Sequence, residues 1–145
     1  MRYQRMHGAG DNAIRKITPA GVVSTLAGGG LGNAGFADGI GSAALFHSPE
    51  RLTVGGADGG ILYVTDQQFG TITNAGGEAV RVIDIASANM TTLAVTSDYN
   101  AAHGVAVPAS ASIGLPPSHV LGGLGTNTQG QLFLSIGCSV QRVGP

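Results

Sequence analysis

A short run of side chains occurs twice. Ile14-Arg15-Lys16-Ile17 returns as Val80-Arg81-Val82-Ile83, and Thr25-Leu26-Ala27 returns as Thr92-Leu93-Ala94. The two offsets, from 14 to 80 and from 25 to 92, agree within one residue. A looser third copy follows, with Leu62-Tyr63-Val64 echoed by Leu132-Phe133-Leu134 and Val80 by Val140. Matching segments separated by variable lengths are what fixed strands joined by free loops produce. Repetition on this scale marks a unit that buries its apolar faces only against its neighbours.

The units read as strands. No window of a dozen residues places apolar side chains at i, i+3, i+4 and i+7 without an intervening Gly or Pro. Ala13–Ile17 and Val22–Ala27 flank the turn Thr18-Pro19-Ala20-Gly21, which predicts a hairpin. The same grammar covers Arg51–Val54, the turn Gly55–Gly60 and Ile61–Thr65, then Val80–Ile85 and Thr91–Val95. A third set runs from Gly104–Val107 through Gln131–Ser135 to Val140–Val143. Ser42–Phe46 is the one candidate helical turn, a connector before Pro49. Glycine supplies 25 of the 145 residues, well above the average usage of about 7%, as a chain built on turns requires. Four short antiparallel strands with Gly-rich turns predict an all-β fold of propeller-type blades.

The same residues resemble the NHL-repeat β-propellers. Typical blades of that family run through a Pro-x-Gly-Ile-Ala-Val inner strand, a Gly-x-Leu-Tyr-Val-Ala-Asp second strand, an Ile-Arg-Lys-Ile third and a Gly-x-Val-x-Thr-Leu-Ala-Gly outer strand. Here stand Pro49-Glu50-Arg51-Leu52-Thr53-Val54, Gly60-Ile61-Leu62-Tyr63-Val64-Thr65-Asp66, Ile14-Arg15-Lys16-Ile17 and Gly21-Val22-Val23-Ser24-Thr25-Leu26-Ala27-Gly28. Gly35–Phe46 is similar to the inter-blade loop of longer NHL variants. The resemblance implies an incomplete propeller. Residues 1–30 make the outer strands of one blade, 31–45 a Gly-rich inter-blade loop, 46–95 a complete blade, and 96–145 a degenerate blade with a long loop inserted at 108–128. The third copy departs from the pattern where Ile136 replaces the expected Asp. A repeat of about 60 to 70 residues lets 145 residues hold two to two and a half blades, whereas closed propellers use about four to eight. The expectation is a fragment of a longer chain, or a subunit completed by others.

The blade geometry has its own physical account. A strand covered on both faces is continuously apolar instead of alternating, as Ile61-Leu62-Tyr63-Val64 is. Asp66 follows as that strand runs out, where its carboxylate accepts backbone N–H groups. Arg15 and Arg81 hold matching repeat positions, each suited to pair with such a carboxylate or to lie across a neighbouring blade.

Charge excludes several functions. With 7 Lys+Arg against 8 Asp+Glu and a net charge of -1, there is no basic stripe of the kind nucleic-acid binding needs. The 43% apolar content opposes disorder. No apolar run is long enough for a membrane helix, and Met1–Arg5 does not open like a secretory signal. Cys138 is the single cysteine, which excludes an internal disulfide. Gly30-Leu31-Gly32-Asn33-Ala34-Gly35 fits a dinucleotide fingerprint in spacing alone, because strands and turns flank it where that motif needs a helix. Asp38-Gly39 and Asp58-Gly59 read as turn pairs in preference to calcium ligands, which require more oxygen donors at regular spacing.

Three residues remain as candidate sites. His47 and His103 precede inner strands near the channel mouth, where propellers similar to this family bind a divalent metal such as Zn or Ca, while structural or solvent-facing roles account for them more simply. Asn89-Met90-Thr91 is a glycosylation pattern on an exposed turn. No nucleophile, base and orienter set is legible. The expected function is non-enzymatic and cofactor-free: a scaffold or recognition module binding other protein chains or an extracellular polymer. The alternatives are a metal-dependent propeller lyase or hydrolase using His47 and His103, and a building block of a filament or larger assembly. Scarce lysine, abundant Ala and Gly and the possible sequon lean towards an extracellular or cell-surface location.

Overall fold

Backbone pairing is antiparallel throughout. The computed structural model describes residues 2–6, 11–67, 78–95, 121–136 and 138–143. They form β1 (Arg2–Met6), β2 (Asp11–Ile17), β3 (Val23–Leu31), β4 (Gly39–Ile40), β5 (Pro49–Gly55), β6 (Ile61–Gln67), β7 (Glu78–Asp84), β8 (Asn89–Val95), β9 (Leu121–Thr126), β10 (Leu132–Ile136) and β11 (Ser139–Val143), with one 3-10 turn at Gly41–Ala43. Three separate sheets result, in the orders β1-β2-β3, β4-β8-β7-β6-β5 and β11-β10-β9, and none closes on itself.

The hairpins fall where turn chemistry puts them. Gly21 takes φ 81 between β2 and β3, and Asp58 Oδ1 accepts the Gly60 N–H at 2.9 Å in the turn between β5 and β6. The connector forms a 3-10 turn at Gly41–Ala43, which overlaps the expected helical turn Ser42–Phe46 at Ser42 and Ala43. It then returns through an Ala37–Leu45 bridge.

The repeat in sequence is a repeat in register. In the central sheet Leu62 pairs with Ile83 and Val64 with Arg81; in the third, Leu132 pairs with Val143 and Leu134 with Gln141. Between β2 and β3, Arg15 opposes Thr25, with a bulge between Ile14 and Arg15. Between β7 and β8, Arg81 opposes Thr92, with the same bulge between Val80 and Arg81. A second bulge in the first sheet, between Asn12 and Ile14, brings Gly28 over β2: a Cβ there would lie 2.4 Å from the Asn12 carbonyl oxygen, at φ +111. Only glycine fits that approach.

Stacking of the sheets buries the core in two layers. Ile14, Leu26 and Ala27 of the first sheet pack with Ala44 and Phe46 of the connector against Leu62, Val64, Ile83 and Met90 of the central sheet. Val80 and Ala94 pack from the other side of the central sheet against Leu121, Leu132, Leu134 and Ile136 of the third, with Tyr63 alongside. Neighbours in β6 therefore point to different layers, which is why Leu62, Tyr63 and Val64 are all apolar.

Two elements differ from the sequence reading. β1 was not foreseen: Arg2-Tyr3-Gln4-Arg5-Met6 has no apolar alternation, and its pairing comes from β2. Residues 121–126, assigned to the inserted loop at 108–128, form β9, which pairs with β10 and lies against β5. Leu-Gly-Gly-Leu-Gly-Thr has poor strand propensity, so β9 owes its strand to the ladder with β10. The turn after it meets the central sheet closely: a Cβ on Gly130 would sit 2.3 Å from the Gly56 carbonyl oxygen. The predicted strand Gly104–Val107 lies outside the described residues.

Candidate functional site

The densest polar cluster lies where the connector from the first sheet crosses the central sheet. Asp66 ends β6 fully buried. Its Oδ1 accepts the Ser48 N–H at 2.8 Å and the His47 N–H at 3.0 Å, and its Oδ2 accepts from Arg81 at 3.3 Å. The carboxylate anticipated as a cap at the strand end thus holds the segment leading into β5.

Arg81 is itself fully buried. It donates to the Leu45 carbonyl at 3.3 Å, the Ala37 carbonyl at 3.0 Å and Asp38 Oδ1 at 2.8 Å. Its guanidinium lies 4.2 Å from the Phe36 ring centroid and 5.7 Å from that of Phe46, within cation–π range. Asp38 completes the cluster by accepting the Thr92 N–H at 3.0 Å and the Thr92 hydroxyl at 2.8 Å. Burial pushes the Asp66 carboxyl from 3.8 up to about 6, against the opposing pull of Arg81 and the Ser48 and His47 N–H groups. Most donors and acceptors here are used within the protein, so the cluster ties the connector to the sheet.

A second polar junction joins the central and third sheets. Glu78, at the start of β7 and buried, accepts the Leu121 N–H through Oε2. Arg51 donates to the Leu121 carbonyl at 2.9 Å and lies 3.6 Å from Glu50. Thr126 donates to the Val54 carbonyl at 2.7 Å. Burial raises the Glu78 carboxyl above its ordinary value, partly offset by the Leu121 N–H. These contacts span β5 and β9 at both ends and fix how the two strands lie side by side.

His47, one of the two proposed metal residues, is partly buried, with Nδ1 3.3 Å from the Gln67 carbonyl oxygen. His103 lies outside the described residues, as do His7 and His119. Among the described residues no three His, Cys, Asp or Glu side chains converge as a metal set. Asp58 serves its own turn, and Asp38 serves Arg81 and Thr92. Gly30–Gly35 leads from the end of β3 through a turn at Gly32 into irregular chain, without a helix. Asn89 is exposed at the start of β8, two residues from exposed Thr91 on the same face, and its N–H donates to Ser87 Oγ at 3.3 Å. Cys138 is exposed.

Sequence reasoning singled out Asp66 and Arg81 but missed Asp38, Thr92 and Glu78 as structural partners. The available signal was Thr92, which repeats Thr25 beside a repeated Arg. Asp38 looked like any Asp-Gly turn, because its partners lie more than forty residues away in sequence.

No family profile and no curated protein matches the chain. Its fold is similar to a crystal structure of a protein of unknown function from Bacteroides thetaiotaomicron, at a TM-score of 0.56 and 22% identity over 89% of this chain. This chain spans 28% of the length of that one. The likeness is one of fold.

Proposed function

We propose that this chain is a non-enzymatic scaffold or recognition module, built from NHL-type propeller blades in an incomplete propeller. Its loops and sheet edges engage other protein chains or an extracellular polymer. One observation carries the reading: three sheets repeat one register and stack face to face, with the buried charges spent on joining them. Asp66, held by two backbone N–H groups and the Arg81 guanidinium, and Glu78, held by the Leu121 N–H, tie distant segments together. The fold likeness supports the β-rich architecture, and function rests on the site, not the fold.

Elemental analysis of the purified protein tests the reading. The module is expected to carry no stoichiometric metal and to associate with partner chains independently of chelators. A tightly bound metal at one equivalent, lost on His103→Ala, would overturn it in favour of metal-dependent catalysis.

A further inference from the structure

The outer face of the first sheet reproduces, position by position, a face that the central sheet covers with a connector. Arg15 and Thr25 oppose each other across the same bulge as Arg81 and Thr92. In the central sheet the carboxylate of Asp38 bridges that Arg and Thr. In the first sheet Arg15 donates straight to Thr25 Oγ1, and its other contact is Asp11, at 3.3 Å. No aspartate from a connector stands between them among the described residues.

The strand edge tells the same story. After Asp38 the connector adds β4 to the edge of β8, pairing Gly39 with Met90 and Ile40 with Asn89. Counted from the Arg–Thr pair, Val23 at the start of β3 matches Met90, and Val22 just before the strand matches Asn89. Met90 is fully buried, whereas its counterpart Val23 is 58% exposed; Asn89 and its counterpart Val22 are both exposed. No described strand pairs with that edge of β3. Ile17, matching fully buried Ile83, is only partly buried. It lines an open groove of about 500 Å³ with Arg2, Thr18, Pro19 and Gly21. A strand edge left unpaired among the described residues, a cationic side chain and an open groove thus lie on one face, each a counterpart of a feature occupied in the central sheet.

We propose that this face is a docking site for an extended aspartyl-glycine segment of the type Phe36-Ala37-Asp38-Gly39-Ile40, supplied by a further repeat unit. The incoming aspartate bridges Arg15 and Thr25, and the Gly-Ile pair that follows adds a strand beside Val22 and Val23. Charge complementarity selects the aspartate: Arg2 and Arg15 flank the face, and a carboxylate held by a guanidinium and a hydroxyl makes charge-assisted bonds. Main-chain pairing along the edge supplies affinity, as in other strand additions. Asp11 is then the resident competitor for Arg15. The proposal deepens the recognition-module reading and rests on it.

A labelled peptide with the sequence of residues 35–46 tests this, titrated with the full chain by fluorescence anisotropy. Saturable binding is expected, weakened about tenfold or more when the peptide aspartate is changed to asparagine or when the protein carries Arg15→Ala. Thr25→Val weakens it as well, and Asp11→Asn tightens it by removing the competing carboxylate. Absence of saturable binding overturns the proposal. So does binding unchanged by Arg15→Ala, which would mean that the peptide displaces the connector at Arg81. Arg15 is partly exposed and its replacement leaves both core layers intact, so loss of binding is not loss of folding; circular dichroism of the variant checks this. Failure in this titration removes the docking site alone, whereas failure of the module reading appears as the His103-dependent metal.

Discussion

Replacing Arg81 with glutamine asks how much of the fold depends on one buried charge. Four hydrogen bonds disappear, to Leu45, Asp66, Ala37 and Asp38, along with the two ring contacts. The largest consequence is at Asp66, which stays fully buried without its cation. Breaking a buried pair from one side costs about 3–5 kcal/mol. Asp66 already titrates at about 6, so it takes up a proton in the variant instead of standing charged, which holds the cost near the lower end of that range. The bond to Asp38 adds little, because Asp38 is 49% exposed and solvent screens it. The third sheet carries the control within the same chain: Ile136 stands at the position of Asp66 and Gln141 at that of Arg81, in identical register.

The expected result is therefore non-additive. Arg81→Gln alone costs about 3 kcal/mol. Asp66→Ile alone strands Arg81 and removes the acceptor of the His47 and Ser48 N–H groups, at a similar or larger cost. The double variant removes both buried charges, so neither is stranded, and it is less destabilised than the sum by about 2 kcal/mol. Urea unfolding followed by circular dichroism, with linear extrapolation, measures all four proteins. Additivity within about 0.5 kcal/mol, or a cost below about 1 kcal/mol for Arg81→Gln, would refute the clamp.

Three further outcomes follow from the same contacts. Asp66 binds its proton more tightly folded, at about 6, than unfolded, at 3.8, so its contribution is present below 3.8 and is lost as pH rises to about 6. The loss amounts to about 3 kcal/mol, and melting curves from pH 4 to 7 are expected to show a decline that Asp66→Asn removes. Phe46→Ala empties the layer between the first and central sheets and takes away one face of the Arg81 site. A cost of about 3–5 kcal/mol is expected by urea titration, and a cost under about 1 kcal/mol would contradict the packing. Gly130→Ala drives a Cβ into the Gly56 carbonyl and must adopt φ +75. It is expected to loosen the turn between β9 and β10, read as faster amide exchange at Gly56 and Gly130, and unchanged exchange would refute the close approach.

Much of the architecture was legible because it is local. The hairpin of β2 and β3 follows from Thr18-Pro19-Ala20-Gly21, and the apolar run of β6 announces a strand covered on both sides. Repetition of Arg15 and Thr25 as Arg81 and Thr92 was visible too, although its meaning was not. A buried guanidinium needs acceptors, and the sequence nominated only Asp66.

The rest depends on separations that no local pattern encodes. By itself the sequence determined an all-β chain of repeated strands, because side-chain alternation and turn residues act over a few positions. Tertiary structure alone decided that Leu121–Thr126 is a strand, since a Gly-rich segment gains its hydrogen bonds from β10 and its position from Glu78, Arg51 and Val54. It also turned Asp38 from a turn residue into the bridge between Arg81 and Thr92. Among the described residues, it left the matching pair in the first sheet, Arg15 and Thr25, without such a bridge. The physical reason is the same in each case: a buried polar group must be satisfied, and only the packed chain determines which distant partner satisfies it.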